Sequence, residues 1–308
     1  MNTPANTIPD SPLEPQAVAP AVISEAQRLY WSMRRELWEN RAIYLAPLAV
    51  AAVFIFAFLI SSIAGIWEGP LRLDPAQSPA KLAEPYAFVA LLLMGATFIV
   101  SIFYCLDALQ GERRDRSILF WKSLPVSDLT TVLAKASIPI VIIPLLTFAI
   151  TVTTQTVMLL LSSAVVLAGG QSPAVLWSQV PLSQMSVMLL YHLVTGHALW
   201  YAPIYCWLLI VSAWARRAAF LWAALPLLAF GGIEKIAFGT SHFAHMLEYR
   251  ITGGSEAVGS TPDTLLLGPI THLAPSMFLS DPGLWIGLAL ATVFLAGAVW
   301  LRRCRGPI

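Results

Sequence analysis

Charge is what this sequence has least of. Only 11% of its 308 residues are Asp, Glu, Lys or Arg, where soluble domains carry about 25%. That excludes an ordinary soluble domain. Cysteine is scarce as well: Cys105, Cys206 and Cys304 lie in or beside apolar runs with no metal-like spacing, so they read as small buried hydrophobes. No GxxxxGK[ST] phosphate loop occurs, which excludes ATP binding through a Walker A site. HExxH and GxSxG are absent too, and with them the zinc-protease and nucleophile-elbow signatures. No inverted internal repeat is evident. No catalytic residue, no metal site, no bound cofactor and no nucleic-acid partner are expected of this chain.

What the sequence has is apolar residues, 57% of the total. They gather into runs at 42–66, 86–109, 137–168, 183–213, 217–238 and 283–301. Each meets the length of about 20 residues that a helix needs to cross a bilayer. The expected fold is therefore an all-α membrane protein with six transmembrane helices. Pro139, Pro144, Pro203 and Pro226 fall inside these runs and are expected to kink them. Residues 1–23, rich in Pro and Ala without a basic or apolar signal segment, read as a disordered tail. Residues 24–41 plot as an amphipathic helix, with Arg28, Ser32, Arg35, Glu36 and Glu39 on one arc and Leu29, Tyr30, Trp31, Met33, Leu37 and Trp38 on the other. That pattern suits a helix in the membrane interface or the basic, Trp-bearing flank of the first span. Thr264–Phe278 is too short to span and reads as a helix on or in the outer leaflet.

The few charges are unevenly placed. If the N-terminus is cytoplasmic, 14 Lys and Arg lie inside (Arg28, Arg34, Arg35, Arg41, Arg113, Arg114, Arg116, Lys122, Lys135, Arg216, Arg217, Arg302, Arg303, Arg305). Only 4 lie outside, namely Arg72, Lys81, Lys235 and Arg250. The positive-inside rule then puts both termini and the loop 110–136 in the cytoplasm, and makes 239–282 the long outside loop.

That inner loop contains the most charged passage of the chain, Gly111–Asp128, GERRDRSILFWKSLPVSD. Glu112, Arg113, Arg114, Asp115 and Arg116 open it; Ser117 leads into Ile118, Leu119, Phe120, Trp121 and Lys122; Leu124 and Pro125 close it. Aromatics beside arginines mark protein docking surfaces, and Trp beside Lys equally marks a helix resting on lipid headgroups.

Other polar groups stand out against the apolar background. Thr147, Thr151, Thr154 and Gln155 form a stripe along the third span, suited to helix–helix contact or to lining a pathway. Glu234 and Lys235 follow Gly231-Gly232 near the outer end of the fifth span, suited to a gate or to plain interfacial placement. His192 and His197, five apart, fall on different faces of an α-helix and make a poor shared ligand. His242 and His245 read as polar interface residues.

These features together resemble the permease subunits of ABC-2 type transporters. The residues that carry the likeness are the loop GERRDRSILFWKSLPVSD and the last span with its basic tail, FLSDPGLWIGLALATVFLAGAVWLRRCR; the likeness covers roughly 24–308. It implies an interfacial helix at Ser24–Arg41 and a coupling helix at Glu112–Pro125 that docks on a separate cytoplasmic ABC ATPase, which would hold ATP and Mg. It also implies a homodimer of the permease in the bacterial inner membrane, exporting a substrate the residues do not identify. The resemblance favours docking over headgroup anchoring for the loop. The rival expectations are an intramembrane enzyme and a non-transporting membrane assembly protein.

Overall fold

The computed structural model describes residues 24–68, 79–117, 126–251 and 275–304. Among them the chain is helical throughout, without a strand. A helix satisfies its own backbone groups, the only open-chain solution in hydrocarbon.

Helix α1 (Glu25–Glu39) opens with a capping box: the Ser24 hydroxyl accepts from the Gln27 N–H, and the Gln27 side chain accepts from the Ser24 N–H. These two bonds satisfy orphan donors of the first turn. Trp31 and Trp38 are exposed, and the Arg34 guanidinium lies over both rings, at 5.2 and 5.8 Å from their centres. Glu36 on the same helix is buried.

The long helices follow: α2 (Ala42–Glu68), α3 (Pro79–Ala108), the short α4 (Gln110–Arg114) and α5 (Asp128–Ser137). A π-helical stretch, Ile138–Ile142, leads from α5 into α6 (Ile143–Ala168). After α7 (Ala174–Gln179), α8 (Leu182–His192) passes into a second π-helical stretch, Leu193–Trp200, and α9 (Ala202–Trp214) continues from it. The rest are α10 (Ala219–Phe238), α11 (His242–Ile251), α12 (Pro275–Ser280) and α13 (Pro282–Cys304).

Five helical segments are long and apolar enough to cross a membrane: Ala42–Ile63, Leu82–Arg114, Asp128–Ala168, Ala219–Phe238 and Pro282–Cys304. A sixth forms if Ala174–Trp200 and Ala202–Trp214, bent by 43° against each other, count as one. This is the architecture of a multi-pass membrane protein, and the helices fall where the apolar runs do. The bends are resolved more finely than proline alone foretells. Pro139 lies inside the first π-helical stretch and Pro144 just after it. Pro203 sits in the first turn of α9, where a missing N–H costs nothing. Pro226 is absorbed within α10.

The core has two main parts. One joins α2, α3, α6 and α8 through Ala51, Val89, Leu93, Met158, Leu159 and Leu189. The other joins α3, the first π-helical stretch and α9 through Cys105, Ile138, Tyr205 and Leu209. Cys105 and Cys206 are buried thiols, and Cys304 is exposed. Helices α9 and α13 pack closely through small residues, with Ala202, Cys206 and Ala291 in one cluster. A Cβ on Gly297 would stand 2.6 Å from the Ile210 Cδ1. Close backbone approach at glycine is how helices associate when both are apolar. Helix α10 is the outlier: among its residues only Ala219 and Ala223 are buried.

Candidate functional site: a buried charge cluster where the loop leaves the bundle

The chain concentrates charge at one end of the bundle, and much of that charge is not in solvent. Glu36, Glu112, Arg113, Lys135 and Arg302 are all buried. They come from four different helices, α1, α4 (Glu112 and Arg113), α5 and α13, and Tyr104 of α3 adds a fifth.

Glu112 is the hub. Its Oε1 accepts from Arg35 Nη2 at 2.9 Å and lies 3.1 Å from Lys135 Nζ. Its Oε2 accepts from Arg302 Nη1. Glu36 is the second carboxylate: Oε1 takes Lys135 Nζ at 2.8 Å and Arg35 Nη2 at 2.9 Å, and Oε2 accepts from the Tyr104 hydroxyl at 3.0 Å. Arg302 reaches on through Nε to Asp128 Oδ1 at 2.9 Å. Half-exposed Glu39 closes the edge against Arg35 Nε at 3.3 Å, and burial raises its carboxyl above the ordinary range. Charges removed from water persist only when paired and hydrogen-bonded in this way.

Arg113 points elsewhere. Its Nη2 donates to the carbonyls of Ser212, at 2.9 Å, and Ala215. These are last-turn acceptors of α9, where a cation is favoured by the helix dipole. The Ser212 hydroxyl accepts from the N–H groups of Leu109, at 3.1 Å, and Gln110, at 2.9 Å. The start of the loop is thereby stitched to the end of α9, while Glu112 ties it to α1, α5 and α13. The arrangement is a clamp of fixed charges. Among the described residues no group of three His, Cys, Asp or Glu is placed to hold a metal.

The residues singled out in the sequence divide. Glu112 and Arg113, expected on a docking surface, are buried within the chain, because internal partners satisfy their charges. Arg114 and Asp115 are exposed and lie beside each other at 3.3 Å. The Ser117 hydroxyl donates to the Glu112 carbonyl at 3.3 Å. Phe120, Trp121, Lys122, Leu124 and Pro125 fall outside the described residues, as does the expected tail at 1–23 and most of Thr264–Phe278.

The threonine stripe faces inward. Thr147, Thr151, Thr154 and Gln155 are all buried against the chain's own helices. Thr147 and Thr154 donate to the Ile143 and Ile150 carbonyls at 2.7 Å, and Gln155 Nε2 donates to the Tyr86 carbonyl at 2.9 Å. At the opposite end, α10 runs unbroken through Gly231-Gly232 and stops at Gly239, whose φ is +66°. Glu234 then caps α11: its carboxylate accepts from the Thr240 hydroxyl and the N–H groups of His242 and Phe243 at 2.7–2.8 Å. Adjacent Lys235 takes no part in that cap. His192 Nδ1 lies 2.8 Å from the Met188 carbonyl and His197 Nδ1 lies 3.1 Å from the Tyr205 hydroxyl, so the two rings do not share a ligand.

Sequence reading missed Glu36, Lys135, Arg302, Asp128 and Tyr104 as one site. The available signal was Lys135, a lone cation directly against the apolar run of the third span.

Comparison with known proteins finds no matching family model, no similar curated protein and no similar solved structure.

Proposed function

We propose that this chain is the membrane-spanning permease subunit of an ATP-driven exporter of the ABC-2 type, working with a separate cytoplasmic ATPase. The observation that carries the reading is the clamp. The loop that would meet the ATPase begins at Glu112 and Arg113, and those two residues are bound to α1, α5, α9 and α13. A push on the exposed part of the loop is therefore delivered to several helices at once rather than absorbed in a slack linker. Docking falls to Arg114, Asp115 and the aromatic stretch with Phe120, Trp121, Lys122, Leu124 and Pro125; transmission falls to Glu112 and Arg113. ATP and Mg would be bound by the ATPase.

In this reading the protein sits in a bacterial inner membrane with both termini in the cytoplasm, as the 14-to-4 distribution of Lys and Arg supports. Helix α1 lies along the inner headgroups with Trp31, Arg34 and Trp38 outward. A second copy is expected against the exposed apolar side of α10, since the inward-facing threonine stripe is covered within the chain.

The test is co-purification of the permease with a candidate Walker-motif ATPase, sought first among the genes next to its own. Trp121→Ala should weaken retention of the ATPase more than Arg114→Ala does. A central aromatic is worth about 2 kcal/mol or more, and an exposed ion pair about 0–1 kcal/mol. Equal retention by wild type and Trp121→Ala, both normally inserted, would remove the docking claim.

A further inference from the structure

Helix α1 has two unlike sides. Glu36 lies on the side turned to the bundle, where it holds Lys135 and Tyr104. Arg34 stands about 160° from it around the helix, and Trp31 and Trp38 share the Arg34 arc. The two indoles are 57% and 73% exposed, and Arg34 is exposed as well. Its guanidinium lies over both rings, and Tyr30 meets the Trp31 ring edge-on at 5.5 Å. Arg35, one position on, spends its donors on Glu36 and Glu112. Among the described residues the N–H donors of Arg34 have no hydrogen bond or ion pair; the ring faces are its only partners.

The chain on either side of α1 fixes what this face can meet. The first apolar span begins at Ala42, and only Asn40 and Arg41 separate it from α1. That link reaches about 10 Å at full stretch. Helix α1 also packs on α5, which is itself the start of the span Asp128–Ala168. Both constraints keep α1 at the membrane surface. Charge on the outer side has one sign: Arg34 and Arg41 are exposed there. The acids of the helix, Glu25, Glu36 and Glu39, fall on the opposite half of its circumference.

We infer that this face seats the headgroup phosphate of an anionic phospholipid, with Arg34 as its ligand and the Trp31 and Trp38 rings holding the guanidinium in place. A planar fork of N–H donors matches two phosphate oxygens. Indoles settle at headgroup level, so the cation they hold is kept at the depth of the phosphates. A surface with cations and no carboxylate favours a lipid of net negative charge, whereas a zwitterionic headgroup brings its own ammonium. On its inner side the same helix carries Arg35 and Glu36 of the clamp, so a seated lipid bears on the helix that closes the charge cluster. The site depends on α1 lying at the membrane surface and not on any ATPase.

The experiment is phosphorus-dephased solid-state NMR of the full chain with isotope-labelled arginine. The nanodiscs hold either phosphatidylcholine alone or phosphatidylcholine with phosphatidylglycerol, and the Arg34 signal is identified by its loss in Arg34→Gln. The expected result is strong dephasing of that signal by lipid phosphorus with phosphatidylglycerol present and weak dephasing without it. In native mass spectrometry of the purified chain titrated with phosphatidylglycerol, Arg34→Gln should lower the affinity about fivefold, the weight of one cation at an anionic surface. Arg34→Lys should recover only part of that, because an ammonium lacks the fork. These side chains are exposed, so the variants should unfold at the wild-type midpoint. Absent dephasing with phosphatidylglycerol, as when a protein partner covers this face, would overturn the assignment. So would equal dephasing in phosphatidylcholine alone, or full recovery by Arg34→Lys.

Discussion

Lys135 Nζ and Glu36 Oε1 lie 2.8 Å apart with both side chains only 2% exposed. The two residues are 99 positions apart in the chain. The pair joins the first helix to the beginning of the third span, and it does so out of reach of water. Each partner is also held by others: Glu36 by Arg35 and Tyr104, Lys135 by Glu112.

Removing one side of that pair leaves the other charged and buried. Lys135→Met is expected to destabilise the protein by about 3–5 kcal/mol, the cost of breaking a buried pair. Replacing both, as Lys135→Met with Glu36→Gln, should cost much less than the sum of the single changes, because no bare charge remains. Thermal unfolding of the detergent-purified variants, arranged as a double-mutant cycle, measures this.

At the other end, the Arg250 guanidinium lies 4.4 Å above the Trp200 ring centre, and its Nη2 donates to the Gly283 carbonyl at 3.2 Å. The Trp200 indole and the Tyr201 hydroxyl donate in turn to the Arg250 and Ile251 carbonyls at 2.9 Å. These are the residues at the 43° bend. A Cβ on Gly287 would fall 1.3 Å from Arg250 Nη2. Gly287→Ala should therefore cost about 1–3 kcal/mol as an overpacking change. In an Arg250→Ala background the same change should be close to neutral. The cycle is read by unfolding midpoints.

The turn between α9 and α10 holds Ala218 at φ +50°. An L-residue with a Cβ is disfavoured there by roughly 1–2 kcal/mol, and glycine is not. Ala218→Gly is expected to stabilise the protein by about 0.5–1 kcal/mol, seen as a raised unfolding midpoint.

What was legible in the sequence follows from what each feature depends on. Ala42–Glu68 and Pro282–Cys304 are visible because a span is set by a local property, some 20 apolar residues in a row. The start of α1 is local too, carried by Ser24 and Gln27. The winding at Leu193–Trp200 was not legible, since it contains no proline and its π-helical turn depends on how neighbouring helices pack. The bond between His197 and Tyr205 was not legible for the same reason, although the separation of His197 from His192 was expected. The charge cluster lies furthest from sequence reading. Glu112 meets Arg35 across 77 positions and Arg302 across 190, and nothing local distinguishes a charge that will be buried from one facing water. Glu36 was grouped with partly exposed Arg28 on one polar arc. In the fold it turns inward because cations on other helices receive it.

The central claim is that the clamp at Glu112 transmits between a docked ATPase and the membrane helices. The most direct measurement is ATP hydrolysis by the purified permease–ATPase complex in nanodiscs, comparing wild type with Glu112→Gln. The neutral amide keeps the shape of the side chain but removes the charge that holds Arg35, Lys135 and Arg302. The account predicts that Glu112→Gln retains the ATPase in full and loses permease-dependent hydrolysis by about tenfold or more, a barrier change of at least about 1.4 kcal/mol. A folded Glu112→Gln complex that hydrolyses ATP at the wild-type rate, or a wild-type chain that retains no ATPase at all, would contradict it.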